Sequence, residues 1–143
     1  MIDTEKYLKN KPLLKECIED LKATILSFEE SKIIEKKFNN LFPMTHFYKV
    51  DWDKIENKIH IGCDPKYIIS SLKRLLNKDD FDQTVYITWS SPGNRTIQTT
   101  FDAIVKNFDS VTCVDFEKFI FNPELGYIIE IRTGDDMTIG VIK

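Results

Sequence analysis

The chain has 143 residues, 42% of them hydrophobic and 30% charged, with a formal net charge of −3 at pH 7. That length suits one domain, which buries roughly 68–70% of its unfolded surface and needs no disulfide or metal to hold a core. No apolar run approaches the ~20 residues that span a bilayer, and the N-terminal Met-Ile-Asp-Thr-Glu-Lys-Tyr lacks an apolar signal core, so a soluble protein that stays in the cytosol is expected.

Pro12 suits a first helical turn, and Leu14, Cys17, Leu21, Ile25 and Phe28 follow helical spacing. The stripe then loses phase and resumes at Ile34, Phe38 and Leu41. Ser27-x-x-Glu30 offers a capping box at the slip, so residues 12–42 read as two helices or one strongly kinked helix, ended by Pro43. His46 to Trp52 reads as a strand, and Ile59 and Ile61 mark a weaker one. Asp64-Pro65 opens a helix that turns Ile68, Ile69, Leu72, Leu75 and Leu76 inward. Val85 to Trp89 predicts a central strand, Ser90 to Asn94 a turn, and Thr96 to Thr99 a short strand. Thr99 or Thr100 then caps a helix through Phe108, with Phe101, Ile104, Val105 and Phe108 inward. Val111 to Val114 predicts a strand. Phe116 to Phe121 fits a strand or a helical turn, ended by Asn122-Pro123. A hairpin closes the chain, with Ile129 and Ile131 on one face, Met137, Ile139 and Val141 on the return strand, and Thr133-Gly134-Asp135-Asp136 as the turn.

These elements predict an α+β fold: a mostly antiparallel sheet of five or six strands, with the N-terminal helices and two further helices packed on it. One domain spans 1–143, with a helical part at 1–43 and a sheet-containing part at 44–143.

Charge is unevenly placed. Residues 1–77 carry 14 Lys/Arg and 12 Asp/Glu, whereas residues 78–143 carry 6 and 11. The acidic second part repels phosphate backbones and attracts basic partners. A nucleic-acid binder needs a basic face, so neither nucleic acid nor membrane is expected as a partner. Cys17, Cys63 and Cys113 lie 46 and 50 residues apart, without a Cys-x-x-Cys pair. They read as reduced thiols, each a small buried hydrophobe among apolar neighbours.

Signatures of catalysis are missing: there is no zinc-type His pair, nucleophile elbow or Gly-rich phosphate loop. His46 and His60 read as structural or exposed. Asp51 and Asp53 could share a strand face and hold a hard cation, although solvated carboxylates are the plainer reading. Arg95, beside Trp89 at the end of the Trp-Ser-Ser-Pro-Gly-Asn-Arg turn, reads as an internal anchor, for instance to Glu130 or an Asp of the acidic half, in preference to a contact residue. No catalytic residue, metal or cofactor is assigned.

The run from Phe108 to Ile131, Phe-Asp-Ser-Val-Thr-Cys-Val-Asp-Phe-Glu-Lys-Phe-Ile-Phe-Asn-Pro-Glu-Leu-Gly-Tyr-Ile-Ile-Glu-Ile, is followed by Met137-Thr-Ile-Gly140. With Trp89 at its front edge, it resembles small uncharacterised bacterial proteins, some of them immunity partners of secreted toxins. The resemblance covers about the last 60 residues and rests on aromatics, Gly and Pro, so no functional residue is carried over. With the single small domain, the acidic second part and the missing catalytic motifs, it points to a binding protein that occludes a basic toxin domain, such as a nuclease. The acidic candidates for that contact are Asp79, Asp80, Asp82, Asp135 and Asp136, with Trp52 as the aromatic anchor. The alternative is a small metal-dependent hydrolase or nucleotide-processing enzyme using Asp51, Asp53 and a His. A structural or adaptor domain is the third reading.

Overall fold

The first 61 residues contain no glycine, and helices begin at once. The computed structural model describes residues 4–45, 49–89, 95–115 and 117–142. Helices α1 (Thr4–Leu8) and α2 (Pro12–Leu21) come first, and α2 buries Leu14, Cys17 and Leu21. Lys22 ends α2 in the left-handed region, with φ 51°. The phase slip is a true break: a two-residue strand β1 (Thr24–Ile25) intervenes before α3 (Phe28–Leu41). The capping box starts α3, with Ser27 Oγ accepting from the Glu30 N–H and Glu30 Oε1 from the Ser27 N–H, both at 3.1 Å.

The expected strand from His46 to Trp52 is corrected where it can be seen. His46, Phe47 and Tyr48 lie outside the described residues. Val50 makes one isolated bridge to Met44, and Trp52–Lys54 is a 3-10 turn. The Val50 N–H goes to the Glu130 carboxylate at 2.8 Å instead of a strand ladder. The chain continues through β2 (Asn57–Gly62), a 3-10 turn at Pro65–Tyr67, α4 (Ile68–Leu76), β3 (Thr84–Trp89) and β4 (Ile97–Thr100). Next come α5 (Phe101–Lys106), capped by Thr100 Oγ1, and α6 (Phe108–Thr112). Strands β5 (Lys118–Asn122), β6 (Tyr127–Arg132) and β7 (Asp136–Val141) complete it.

Two further expectations change here. The helix from Phe101 breaks at Asn107, and Val111 belongs to α6, not to a strand. Phe108 and Val111 are buried one helical turn apart while Cys113 is exposed, a helical period that a strand would not produce. Of the three thiols, Cys17 is buried as expected. Cys63 and Cys113 are exposed, because Cys63 follows the bulged end of β2 and Cys113 sits at the C-cap of α6.

The sheet is antiparallel throughout, in the order β1-β4-β3-β5-β6-β7-β2. Its seven strands exceed the expected five or six, and β1 is too short to read from periodicity. Side-chain alternation divides the core between two faces. On one, Val85, Ile87, Ile120, Ile129 and Ile139 meet α2, α4, α5 and α6. On the other, Phe119, Phe121 and Ile128 meet Ile34 and Phe38 of α3, together with Phe42, Val50 and Ile55. The helices of residues 1–43 thus divide between the two faces of one sheet.

Candidate functional site

Arg95 is an internal anchor, although Ser90 to Asn94 of its turn lie outside the described residues. Its Nε donates to the Leu26 carbonyl at 2.6 Å, and its guanidinium lies 5.0 Å and 5.3 Å from the Tyr7 and Phe28 ring centroids. Neither Glu130 nor an Asp of the acidic half is the partner shown, which corrects that expectation. Trp89 is also buried, with its indole N–H 3.5 Å from the Val111 carbonyl.

Glu130 has a different task. It is 2% exposed and accepts from the Val50 N–H, the Trp52 indole N–H at 3.0 Å and Arg132 Nε at 2.8 Å. β6 supplies the carboxylate and the segment after α3 supplies the donors, so one buried charge straps that segment to the sheet. Trp52 is half-buried over Gly140, where an added Cβ would come within 2.6 Å of the indole.

The acidic candidates occupy two places. Asp79 and Asp80 are exposed in the loop after α4. Asp82 Oδ1 accepts the Thr84 N–H at 2.8 Å, and that backbone hydrogen bond holds its carboxyl below the usual carboxylate range. The Asp82 carbonyl accepts the Tyr127 hydroxyl at 2.8 Å, and Asn122 Nδ2 donates to the Thr84 carbonyl at 2.9 Å. These bonds set the loop beside the β5–β6 turn, where Glu124 is exposed. Sequence reasoning passed over Glu124, since only the tertiary contact between residues 82 and 127 brings it near.

Asp135 and Asp136 lie at the far end of β6, roughly 20 Å away at the rise of a six-residue strand. There Asp136 Oδ1 is 2.6 Å from His60 Nε2, and Asp135 Oδ1 is 3.9 Å from Lys118 Nζ. Lys118 is buried and also donates to the Thr112 and Asp115 carbonyls. Burial pulls its pKa down, against the opposing pull of Asp135. The structure therefore places Asp79, Asp80 and Asp82 in the loop after α4, with Asp82 by the turn that carries Glu124, and Asp135 and Asp136 at the other end of the sheet beside Lys118 and His60.

The hydrolase constellation does not converge among the described residues. Asp51 lies 3.8 Å from Lys54, Asp53 is exposed, His60 pairs with Asp136, and His46 is outside the described residues. No group of three or more His, Cys, Asp or Glu is placed there to hold a metal. A cavity of about 200 Å³ between Lys54–Asn57 and Val141–Ile142 brings one carboxylate, Glu56. No helix among the described residues is long and apolar enough to cross a membrane.

A comparison with curated proteins finds no match. Residues 11–140 match the family described as CdiI immunity protein, EcoliA0-like. That span runs from the residue before α2 into β7 and takes in both faces of the core. On that match, the chain belongs to the CdiI immunity protein family, EcoliA0-like, whose role is that of a toxin-inhibiting partner.

Proposed function

We propose that this chain neutralises its toxin in the cytosol by covering the active surface of a basic toxin domain, of nuclease type, with no bond made or broken. The observation that supports this reading is the exposure of carboxylates in the loop after α4. Asp79 and Asp80 are exposed, Glu124 is exposed in the β5–β6 turn that Asp82 and Thr84 contact, and the Thr84 N–H holds the Asp82 carboxyl below the usual carboxylate range. Such carboxylates stand in for the phosphates that a nuclease binds, and their field steers a basic partner into register. Asp135 and Asp136 offer a second contact, and the exposed edge of Trp52 an aromatic anchor.

The test uses the toxin domain encoded beside this chain's gene. Its affinity for the purified chain should fall at least tenfold between about 50 and about 300 mM salt, because exposed charges are screened within a Debye length. An Asp79→Asn/Asp80→Asn variant should associate about tenfold more slowly at low salt with little change in dissociation. A complex indifferent to salt would reject the electrostatic part of this reading, and the absence of any complex would reject all of it.

A further inference from the structure

The two edges of the sheet differ. At one edge β1 has only two residues, too few to template another strand. At the other, β2 runs for six residues, and β7 is the strand bonded to it among the described residues. Asn57, Lys58 and His60 are exposed, while Ile59 and Ile61 are half-buried.

Hydrogen-bond phase decides which backbone groups of β2 are already used. The Ile142 N–H donates to the Gly126 carbonyl at 3.0 Å, one step beyond the Tyr127–Val141 pair. Pairs in an antiparallel ladder alternate, so even-numbered residues of β7 turn their N–H and C=O toward β6. Met137, Ile139 and Val141 turn theirs toward β2, where Ile139 faces Ile59 and Val141 faces Asn57. It follows that the N–H and C=O of Lys58 and His60 point away from the sheet. Among the described residues, no backbone hydrogen bond engages them on that side.

We infer that β2 is the docking edge for an extended strand of the toxin, which would become the eighth strand of this sheet. This rests on the immunity reading, since the family supplies the occupant: a toxin protein. The side chains of β2 specify the strand. Ile59 and Ile61 lie on the α4 face, where Ile61 packs against the core and Tyr67 is 47% exposed nearby in sequence. Lys58 and His60 lie on the opposite face. The incoming strand therefore sets apolar residues against the isoleucines and an acidic one against Lys58, while His60 already has the Asp136 carboxylate 2.6 Å away.

A second copy of this chain is a poor occupant. Antiparallel pairing of β2 with itself centred on Lys58 sets Lys58 against Lys58 on the same face, and like charges opposite one another disfavour a pair. The Lys58 ammonium, folded back on the Trp52 carbonyl at 2.6 Å, keeps donors for a carboxylate. The same charge that repels a copy thus selects an acidic strand.

Residue-resolved amide exchange on the intact chain, free and with the toxin domain encoded beside its gene, tests this. In the free chain the Lys58 and His60 amides should exchange quickly, and the Asn57 and Ile59 amides slowly. Toxin should slow Lys58 and His60 by tenfold or more. A Lys58→Pro variant, which removes an outward donor and no ladder bond, should bind at least tenfold more weakly, and Lys58→Glu should weaken binding with its backbone intact. A complex that forms while both amides keep their free rates overturns the edge and leaves the immunity reading standing. Absence of a complex overturns both. Protection that grows with the concentration of the chain alone would assign the edge to a second copy and overturn the proposal.

Discussion

Glu130 is the side chain on which the segment after α3 depends. Its carboxylate accepts three donors from 2% exposure, so its loss would leave the Val50 N–H and the Trp52 indole without a partner. Glu130→Ala should destabilise the fold by about 2–4 kcal/mol, read from urea unfolding, with a shift in Trp52 fluorescence before global unfolding. Gly140 answers to the same neighbourhood. A methyl there meets the indole at 2.6 Å and Ile55 Cγ2 at 3.1 Å. Gly140→Ala should cost about 1–3 kcal/mol, and Trp52→Ala in the same chain should recover most of that cost in a double-mutant cycle. Arg95 shows how far residue-level reading reaches. An isolated Arg beside a Trp signals an anchor, but its partners Leu26 and Thr4 lie 69 and 91 residues away in sequence. No local pattern encodes that distance.

At the scale of elements, motifs that act within a few residues were readable. Ser27 and Glu30 announced the start of α3, and both bonds of the box are made. Ser27→Ala should lower stability by about 1 kcal/mol, whereas Ser27→Asp should retain most of it. Measured unfolding free energies that left both variants unchanged would remove the cap from the account. α3 matters beyond its own helix because Phe38 packs 4.8 Å from Phe121 and 5.2 Å from Phe119, ring centroid to ring centroid. Elements without such signals were misread. Val111 and Thr112 at the end of α6 are β-branched, which suits a strand, yet Phe108 and Val111 gain burial only at helical spacing. β1 has two residues, and a two-residue segment cannot display a period.

For the whole molecule, burial makes stability depend on alkaline pH. Burial pushes the Cys17 thiol from 9.0 up to about 12, so the unfolded chain releases this proton first. Stability from this group is complete below pH 9 and is lost as pH rises from there toward the folded value. Tyr127 is raised by burial too and acts in the same sense above pH 10. Lys118, lowered by burial, acts oppositely, raising stability as pH climbs just below 10.5. Unfolding measured from pH 8 to 11 should therefore show a loss that Cys17→Ala reduces by up to about 1.4 kcal/mol per pH unit. An unchanged slope in the variant would mean that Cys17 is not protected in the fold.

By itself, the sequence determined the α+β class, the capped helices, the closing hairpin and the acidity of the second part. Each follows from patterns within a few residues, which act before distant segments meet. The tertiary structure alone decided that the acidic residues divide between two ends of one sheet, that Glu130 holds Trp52, and that β2 lies at an edge with Lys58 and His60 turned outward. Those outcomes depend on strand order and register, and both are settled by which distant faces bury one another.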